Sequence, residues 1–294
     1  MDAEKKQLLI AGGGIAGMAA ALGASHAGWD VRVFERAAEF SEVGAGVQLG
    51  PNVVRRLQAW GLQEGLQAVC AMPQRLRAHS ACSGRELAQT PLGASMVQRY
   101  GAAYVTIHRA DLHQLLVHAV QGREGVFINH GQPVEEILGL EGVATIRTPA
   151  YPCVEGDALL LADGVWSQLR AGVLGDTSRP RVSGHLAYRA LIPMADVPAA
   201  WRAHEVNVWL GPQLHAVHYP VRRGELLNLV VIVEGPAPED LTHWDHAANA
   251  LQLARALQGS CAALRDMVGS VEASAGQGRM WPSAARSTEP GRQG

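Results

Sequence analysis

The segment spanning residues 7–17, QLLIAGGGIAG, constrains what this chain can fold into more than any other. Residues 7–11 form a short apolar run that reads as a strand, and residues 15–27 are small and apolar and read as a helix ending before Gly28. The glycines between them answer separate mechanical needs. Gly12 makes the tight turn, Gly14 lets a pyrophosphate approach the backbone, and Gly17 lets the helix lie close against the strand. The helix N-terminus then faces the phosphates with its unpaired N–H groups. A second strand, Val31-Arg32-Val33-Phe34, ends in Glu35, a carboxylate placed to accept hydrogen bonds from ribose hydroxyls. Strand, glycine turn, helix, strand and acidic residue in register predict a dinucleotide-binding βαβ unit. The motif does not separate NAD from FAD.

The same stretch imitates a membrane segment, since residues 7–29 hold no Lys, Arg, Asp or Glu and follow Lys5 and Lys6. Gly12, Gly13 and Gly14 interrupt that run, Asp2 and Glu4 offset the lysines, and most of residues 15–29 are Ala or Gly, which insert weakly. No membrane span is expected, and the chain reads as cytoplasmic. Its 25 basic and 27 acidic side chains leave a formal net charge of -2, which excludes a nucleic-acid-binding polycation. With 48% hydrophobic and 18% charged residues the chain is no disordered tail and needs a large interior. Cys70, Cys82, Cys153 and Cys261 share no short spacing, so they read as scattered thiols of a reducing compartment, with neither a disulfide framework nor a zinc site. The histidines are dispersed and none has metal-ligand spacing; His113 and His118, for example, are five apart.

After the second strand, SEVGAGVQLGPN leads into a helix that begins near Pro51 and stops at Gly61. HRADLHQLL opens another, with Leu112, Leu115, Leu116 and Ala119 at helical spacing as its core stripe and Gly122 as its end. Arg109, at the start, is either a cation within reach of a phosphate or an exposed surface arginine. Short β segments at 134–138 and 143–147 precede a buried strand at 158–161, which ends in Ala162-Asp163-Gly164. Ligands of open α/β sheets bind where Asp163 lies, but an Asp-Gly there is equally a turn. From about Pro180 the texture changes: runs at 185–192, 206–210, 214–219 and 226–233, separated by Gly and Pro turns, predict a meander of antiparallel strands. Alternation in LHAVHYP puts His215, Val217 and Tyr219 on one face and Leu214, Ala216 and His218 on the other. His215 and Tyr219 either line a polar pocket or form a hydrogen-bonded core pair.

GGGIAGMAAAL, VFERAAEFSEVGAGVQLGPN, HRADLHQLL, ALLLADGVWSQLR, AYRA and GPQLHAVHYPVRRGELLN together resemble the FAD-dependent aromatic-ring hydroxylases of the salicylate hydroxylase and 3-hydroxybenzoate 6-hydroxylase group. The likeness runs from Gln7 to the mid-230s in order and spacing. It implies an α/β fold: a Rossmann-like FAD-binding domain (1–72 and 102–178), an antiparallel-sheet substrate domain (73–101 and 179–275) and an atypical tail (276–294). Gly12, Gly14, Gly17, Glu35 and Arg36 would hold the ADP half of FAD, Arg109 would contact the flavin side, and Asp163-Gly164 would serve both FAD and passing NADH or NADPH. In such enzymes the nicotinamide reduces FAD, O2 forms a flavin hydroperoxide, and its distal oxygen attacks a small electron-rich aromatic ring. His215 matches the histidine that acts as base on the phenol, and Tyr219 matches a tyrosine of the same pocket. The resemblance implies no metal, no nucleic acid and no membrane partner, and is compatible with a homodimer.

The likeness lapses towards the end of the chain. Members of the group continue through a DRxP segment and a GRVxLLGDAAHP segment whose Gly-Asp binds FAD; here GSVEAS passes directly to AGQGRM, and WPSAARSTEPGRQG follows. Trp281 is the only large apolar residue after Met280, so no buried strand is expected there. The expectation is a C-terminally truncated or frameshifted member. The favoured reading is an active FAD- and NAD(P)H-dependent hydroxylase; the alternative is a non-catalytic or weakly active dinucleotide-binding remnant. A nicotinamide dehydrogenase is disfavoured, because Asp163-Gly164 and the antiparallel sheet have no place in it.

Overall fold

The computed structural model describes residues 5–40, 45–175, 177–178, 180–235, 246–247, 250–273 and 279–285. The chain divides into two compact units, one made of Met1–Val43, Ala110–Arg181 and Ala285–Gly294, the other of Gly44–Arg109 and Val182–Ala284. The second unit thus takes in 44–72 and 102–109, which the resemblance assigns to the FAD-binding domain.

In the first unit, four parallel strands stand in the order Ala158–Leu161, Gln7–Ala11, Asp30–Phe34, Val126–Asn129. Leu9, Ile10, Val31 and Val33 are fully buried in it, because parallel strands are covered on both faces. The helix Ile15–His26 buries Gly17, Met18, Ala21 and Leu22, and the helix Arg109–Gln121 buries Leu112, Leu116, Val117 and Val120. A small antiparallel sheet of Glu136–Gly139, Ala144–Arg147 and Val154–Gly156 supplies Ile146 and Val154 to a core shared with Leu9 and Phe34. The strand expected to be buried at 158–161 is not: Leu160 is 38% exposed. Among the described residues this strand has one sheet neighbour, Gln7–Ala11, so it stands at the edge.

The second unit is built on an eight-stranded sheet in the order His246–Ala247, Arg279–Ala285, Arg181–Pro193, Leu226–Glu234, Leu214–Val221, Glu205–Gly211, Arg75–Ser80, Glu86–Pro91. The last three strands of the expected meander are joined as sequential hairpins, but Arg181–Pro193 pairs with Leu226–Glu234 rather than with Glu205–Gly211. The far edge of Glu205–Gly211 instead takes Arg75–Ser80 in parallel. One sheet face packs Leu186, Ile192, Trp209 and Leu229 against Leu264 and Met267 of the helix Ala262–Ala273. The other gathers Val206, Tyr219, Val221 and Leu92. A two-stranded antiparallel sheet, Gly46–Leu49 with Val105–His108, is pinned to the Leu214–Val221 and Leu226–Glu234 strands: Thr106 Oγ1 donates to the Pro220 carbonyl at 2.5 Å and Gly46 N–H donates to Asn228 Oδ1 at 2.6 Å.

The sequence expectation for the segment after Met280 concerned a buried strand, and the burial of its side chains lies outside what is described; Arg279–Ala285 is nonetheless a strand. Its pairing with His246–Ala247 involves Arg279 and Met280 alone, so no ladder bond on that side asks for the N–H that Pro282 lacks. Residues 274–278 and 286–294, where the departures from the family pattern concentrate, lie outside the described residues. Among the described residues no helix is long and apolar enough to cross a membrane.

Candidate functional site

In the first unit the glycine turn is interlocked by backbone. Gly12 has φ +104°, and a Cβ there would lie 2.5 Å from the Ala162 carbonyl oxygen. A Cβ on Gly17 would lie 1.9 Å from the Gly12 oxygen, which no side chain survives. Gly14 differs, because nothing stands within 4 Å of the position its Cβ would take. It is the N-cap of the Ile15–His26 helix, with no side-chain cap and no acidic residue in the first turn. The helix thus offers N–H groups and the positive end of its dipole beside an open glycine, the arrangement an anionic pyrophosphate needs.

Glu35 closes the turn from the neighbouring strand. Its Oε2 accepts from Gly13 N–H at 2.7 Å and its Oε1 from Ala37 N–H at 2.8 Å. Each carboxylate oxygen keeps a second lone pair for a ribose hydroxyl. Arg36 is exposed beside it. Asp163, half-buried, follows the Ala158–Leu161 strand, and its backbone N would lie 3.0 Å from a Gly12 Cβ; Gly164, with φ +85°, turns the chain away. Gly12, Gly14, Gly17, Glu35 and Asp163 are thus brought to one end of the parallel sheet. His113, read as one of several scattered histidines, is part of the same framework. It is 1% exposed, and its Nε2–H donates to the Gly13 carbonyl at 2.7 Å. That bond places a proton on Nε2, and Phe40 meets the ring edge-on at 4.8 Å. Period-based reading leaves His113 in a helix and gives no sign of a partner 100 residues away.

In the second unit, His215 and Tyr219 lie on one strand but are not a pair. Four residues of extended chain separate them by ~13 Å. His215 is exposed and opens, with His185, Gln213, Ile232 and Glu234, on a depression of about 390 Å³. Partial burial, and the charge of His185, hold the His215 imidazole below its ordinary pKa. Tyr219 is 3% exposed, and burial pushes its phenol up to about 12. Tyr104 is pushed up to about 12 in the same way, and the Gln48 side chain hydrogen-bonds both phenols. Arg109 is half-buried, its N–H donating to Ala45 O at 3.0 Å.

The sheet's opposite face holds a second polar group of residues. His218 is 0% exposed, with Trp201 edge-on at 5.4 Å and Trp209 at 6.3 Å, and neither ring nitrogen has a hydrogen-bond partner among the described residues. His79 stacks on Trp209 at 4.7 Å and donates from Nε2 to Asn207 Oδ1 at 3.0 Å. Burial, and then the charge of His79, push His218 down to about 3. Alternation assigned His218 to the face of Leu214 and Ala216, and that is where it lies.

Residues 5–294 match the family model described as an FAD binding domain. The chain is 37% identical over 232 residues to a 3-hydroxybenzoate 6-hydroxylase of Polaromonas naphthalenivorans (strain CJ2), covering 79% of this chain and 58% of the relative. It is 32% identical over 272 residues to the 3-amino-4-hydroxybenzoate 2-monooxygenase PtnB3 of Streptomyces platensis, covering 92% and 67% respectively. Its fold is similar to that of Klebsiella pneumoniae HpxO complexed with FAD and uric acid, with TM-score 0.79 at 23% identity over 97% of this chain and 69% of that one. A salicylate hydroxylase substrate complex gives 0.74 at 21% identity, over 95% and 68%. The chain spans just under three fifths of the length of the hydroxybenzoate hydroxylases it matches.

Proposed function

The chain belongs to the FAD-binding family of aromatic-ring hydroxylases, and we propose that it hydroxylates a small phenolic or benzoate-type ring with FAD, NADH or NADPH, and O2. The observation that carries this reading is the first unit's turn, where an open Gly14 at a bare helix N-terminus stands beside the Glu35 carboxylate. Gly12, Gly14, Gly17 and Glu35 would hold the ADP half of the cofactor, with Arg36 beside them and Asp163-Gly164 at the adjoining strand end; Arg109 would serve the flavin side. When bound, FAD supplies electron transfer from reduced nicotinamide to oxygen and delivery of one oxygen atom to the ring.

The protein's own residues bind, orient and move a proton. A phenolate is a better nucleophile than a phenol, so the ring hydroxyl needs a base. His215, held below its ordinary pKa, is unprotonated at neutral pH and accepts that proton at a ring nitrogen. Tyr219, with its pKa raised to about 12, keeps its proton and acts as a hydrogen-bond donor rather than a base.

The test is the flavin absorbance and FAD stoichiometry of the purified chain, followed by NADH oxidation with and without 3-hydroxybenzoate. Near-stoichiometric FAD and substrate-stimulated oxidation are expected; a colourless, inert protein overturns the reading. His215→Ala is expected to lower hydroxylation ~10²-fold or more while leaving flavin reduction nearly intact. Equal losses in both would remove His215 from the role of base.

A further inference from the structure

Two of the four cysteines, about 180 residues apart along the chain, come together in the second unit. Cys82 lies in the turn between the strands Arg75–Ser80 and Glu86–Pro91. Cys261 immediately precedes the helix Ala262–Ala273, and its carbonyl accepts from Arg265 N–H at 3.2 Å. A backbone hydrogen bond joins the two segments, with Cys261 N–H donating to the Ala81 carbonyl at 2.7 Å. That bond limits how far apart the cysteines can be. In a trans peptide the carbonyl oxygen lies ~2.8 Å from the next Cα, and a backbone nitrogen lies ~1.5 Å from its own Cα. The Ala81–Cys82 peptide is trans, so the Cα atoms of Cys82 and Cys261 are at most about 7 Å apart, and less because the path bends at the oxygen. Disulfides span about 4.4–6.8 Å between Cα atoms.

The space above the turn belongs to Cys261. A Cβ on Gly84, two residues beyond Cys82, would lie 3.5 Å from Cys261 Sγ and 3.7 Å from Cys261 Cβ, and beyond its own chain neighbours it would meet nothing else within 4 Å. The thiol therefore hangs over the turn that carries Cys82, and glycine leaves it room to rotate. Both backbones are held in place. Ala81 N–H donates to the Leu210 carbonyl at 2.9 Å and Gly84 N–H to the Ser80 carbonyl at 2.8 Å. On the other side, Leu264 and Met267 of the helix are 0% exposed in the core against the sheet. The two thiols differ in access, Cys82 being exposed and Cys261 half-buried. An exposed thiol beside a sheltered one on a fixed frame is the arrangement of an attacking and a resolving cysteine.

We propose that Cys82 and Cys261 form a thiol modification site, which takes a low-molecular-weight disulfide of the glutathione disulfide class and closes into an intramolecular disulfide. The Cys82 thiolate attacks one sulfur of the reagent, the reagent S–S bond breaks, and one reagent thiolate leaves while Cys82 carries a mixed disulfide. The Cys261 thiolate then attacks the Cys82 sulfur and displaces the second reagent thiolate. Two protein thiols are oxidised, one reagent disulfide is reduced to two thiols, and the protons given up by the cysteines go to the departing thiolates. The new bond ties the hairpin turn to the helix that covers the Trp209 face of the sheet, so oxidant strengthens the second unit. Nothing in this chemistry depends on bound FAD or on the hydroxylase reading above.

The test is to hold the folded, reduced chain in glutathione disulfide, block the remaining thiols with N-ethylmaleimide before denaturation, and map tryptic peptides by mass spectrometry. Peptides 78–85 and 256–265 are expected to be joined and two hydrogens lighter than their sum. Tm should rise by about 5–15 °C, as the closure of so long a loop predicts, and fall back with dithiothreitol. Cys261→Ser is expected to stop at one glutathione on Cys82 and to show no rise. A mixed disulfide that persists on wild-type Cys82 without the joined peptides, or a joined pair that forms only in denaturant, overturns the proposal. So does a bond from Cys82 to any other cysteine, or a joined protein that melts no higher than the reduced one, since either shows that the fold does not set these two thiols for each other.

Discussion

Acid should weaken the second unit through one side chain, His218. In the folded chain it titrates at about 3, and in the unfolded chain at its ordinary 6.5. Above pH 6.5 the imidazole is neutral in both states and contributes no pH dependence. Between 6.5 and 3 the unfolded chain takes up a proton that the folded chain refuses, so stability falls with falling pH at up to ~1.4 kcal/mol per unit. Moving from pH 7.5 to pH 5 should therefore remove about 2 kcal/mol through this residue alone, or roughly 4–8 °C in Tm for a unit of this size. The assay is urea unfolding at the two pH values followed by tryptophan fluorescence, because Trp201 and Trp209 flank the ring. The control is His218→Phe, which keeps an aromatic ring and deletes two nitrogens that have no partners among the described residues. At pH 7.5 it should match wild type within ~1 kcal/mol or exceed it; on acidification it should lose about 2 kcal/mol less. Identical losses in the two proteins would refute the reasoning, whatever the other histidines contribute to both.

Gly17→Ala places a methyl 1.9 Å from a backbone oxygen, so helix and turn must part; a loss of ~2–3 kcal/mol by thermal melting is expected, and FAD binding falls with it. Glu35→Gln keeps the shape but removes the charge and leaves one acceptor oxygen for the N–H groups of Gly13 and Ala37. FAD affinity by fluorescence titration should drop about tenfold, and urea unfolding should show a loss of about 1–2 kcal/mol for the N–H left without an acceptor. His113→Leu leaves the buried Gly13 carbonyl without its donor and should cost ~1–3 kcal/mol by urea unfolding. An unchanged midpoint in that variant would mean the carbonyl finds another donor.

What the sequence discloses divides by the separation of the partners. The turn from Gly12 to Glu35 is legible because its parts lie within about two dozen residues and each residue type has one mechanical use. The bond from His113 to Gly13 spans 100 residues and has no local sign. Alternation placed His215 and His218 on opposite faces correctly, yet it could not say that one face is open at His215 and the other sealed by tryptophans, because burial depends on what packs above a strand. The pairing of Arg181–Pro193 with Leu226–Glu234 was missed for a related reason: neighbouring runs suggested neighbouring strands, and the place beside Glu205–Gly211 was filled by Arg75–Ser80 instead. The strand at Arg279–Ala285 had no apolar signal to announce it, since Trp281 is the only large apolar residue after Met280 and pairing is a property of backbone rather than side chains.

The parallel pairing of Arg75–Ser80 with Glu205–Gly211 sets a schedule for synthesis. His79 and Asn207, which face each other across it, are 128 residues apart, and closing such a loop costs ~4 kcal/mol of chain entropy before any contact repays it. A ribosome takes roughly 6 to 25 seconds to cover that distance. Throughout the interval the Arg75–Ser80 and Glu86–Pro91 hairpin waits with an open edge, the kind of surface on which nascent chains aggregate. That edge carries Arg75 and Arg77, charges that deter a second copy. When the missing strand emerges it brings Glu205, which meets Arg75 at 3.0 Å and Arg77 at 3.3 Å. The guard on the waiting edge is also the lock that recognises its proper partner.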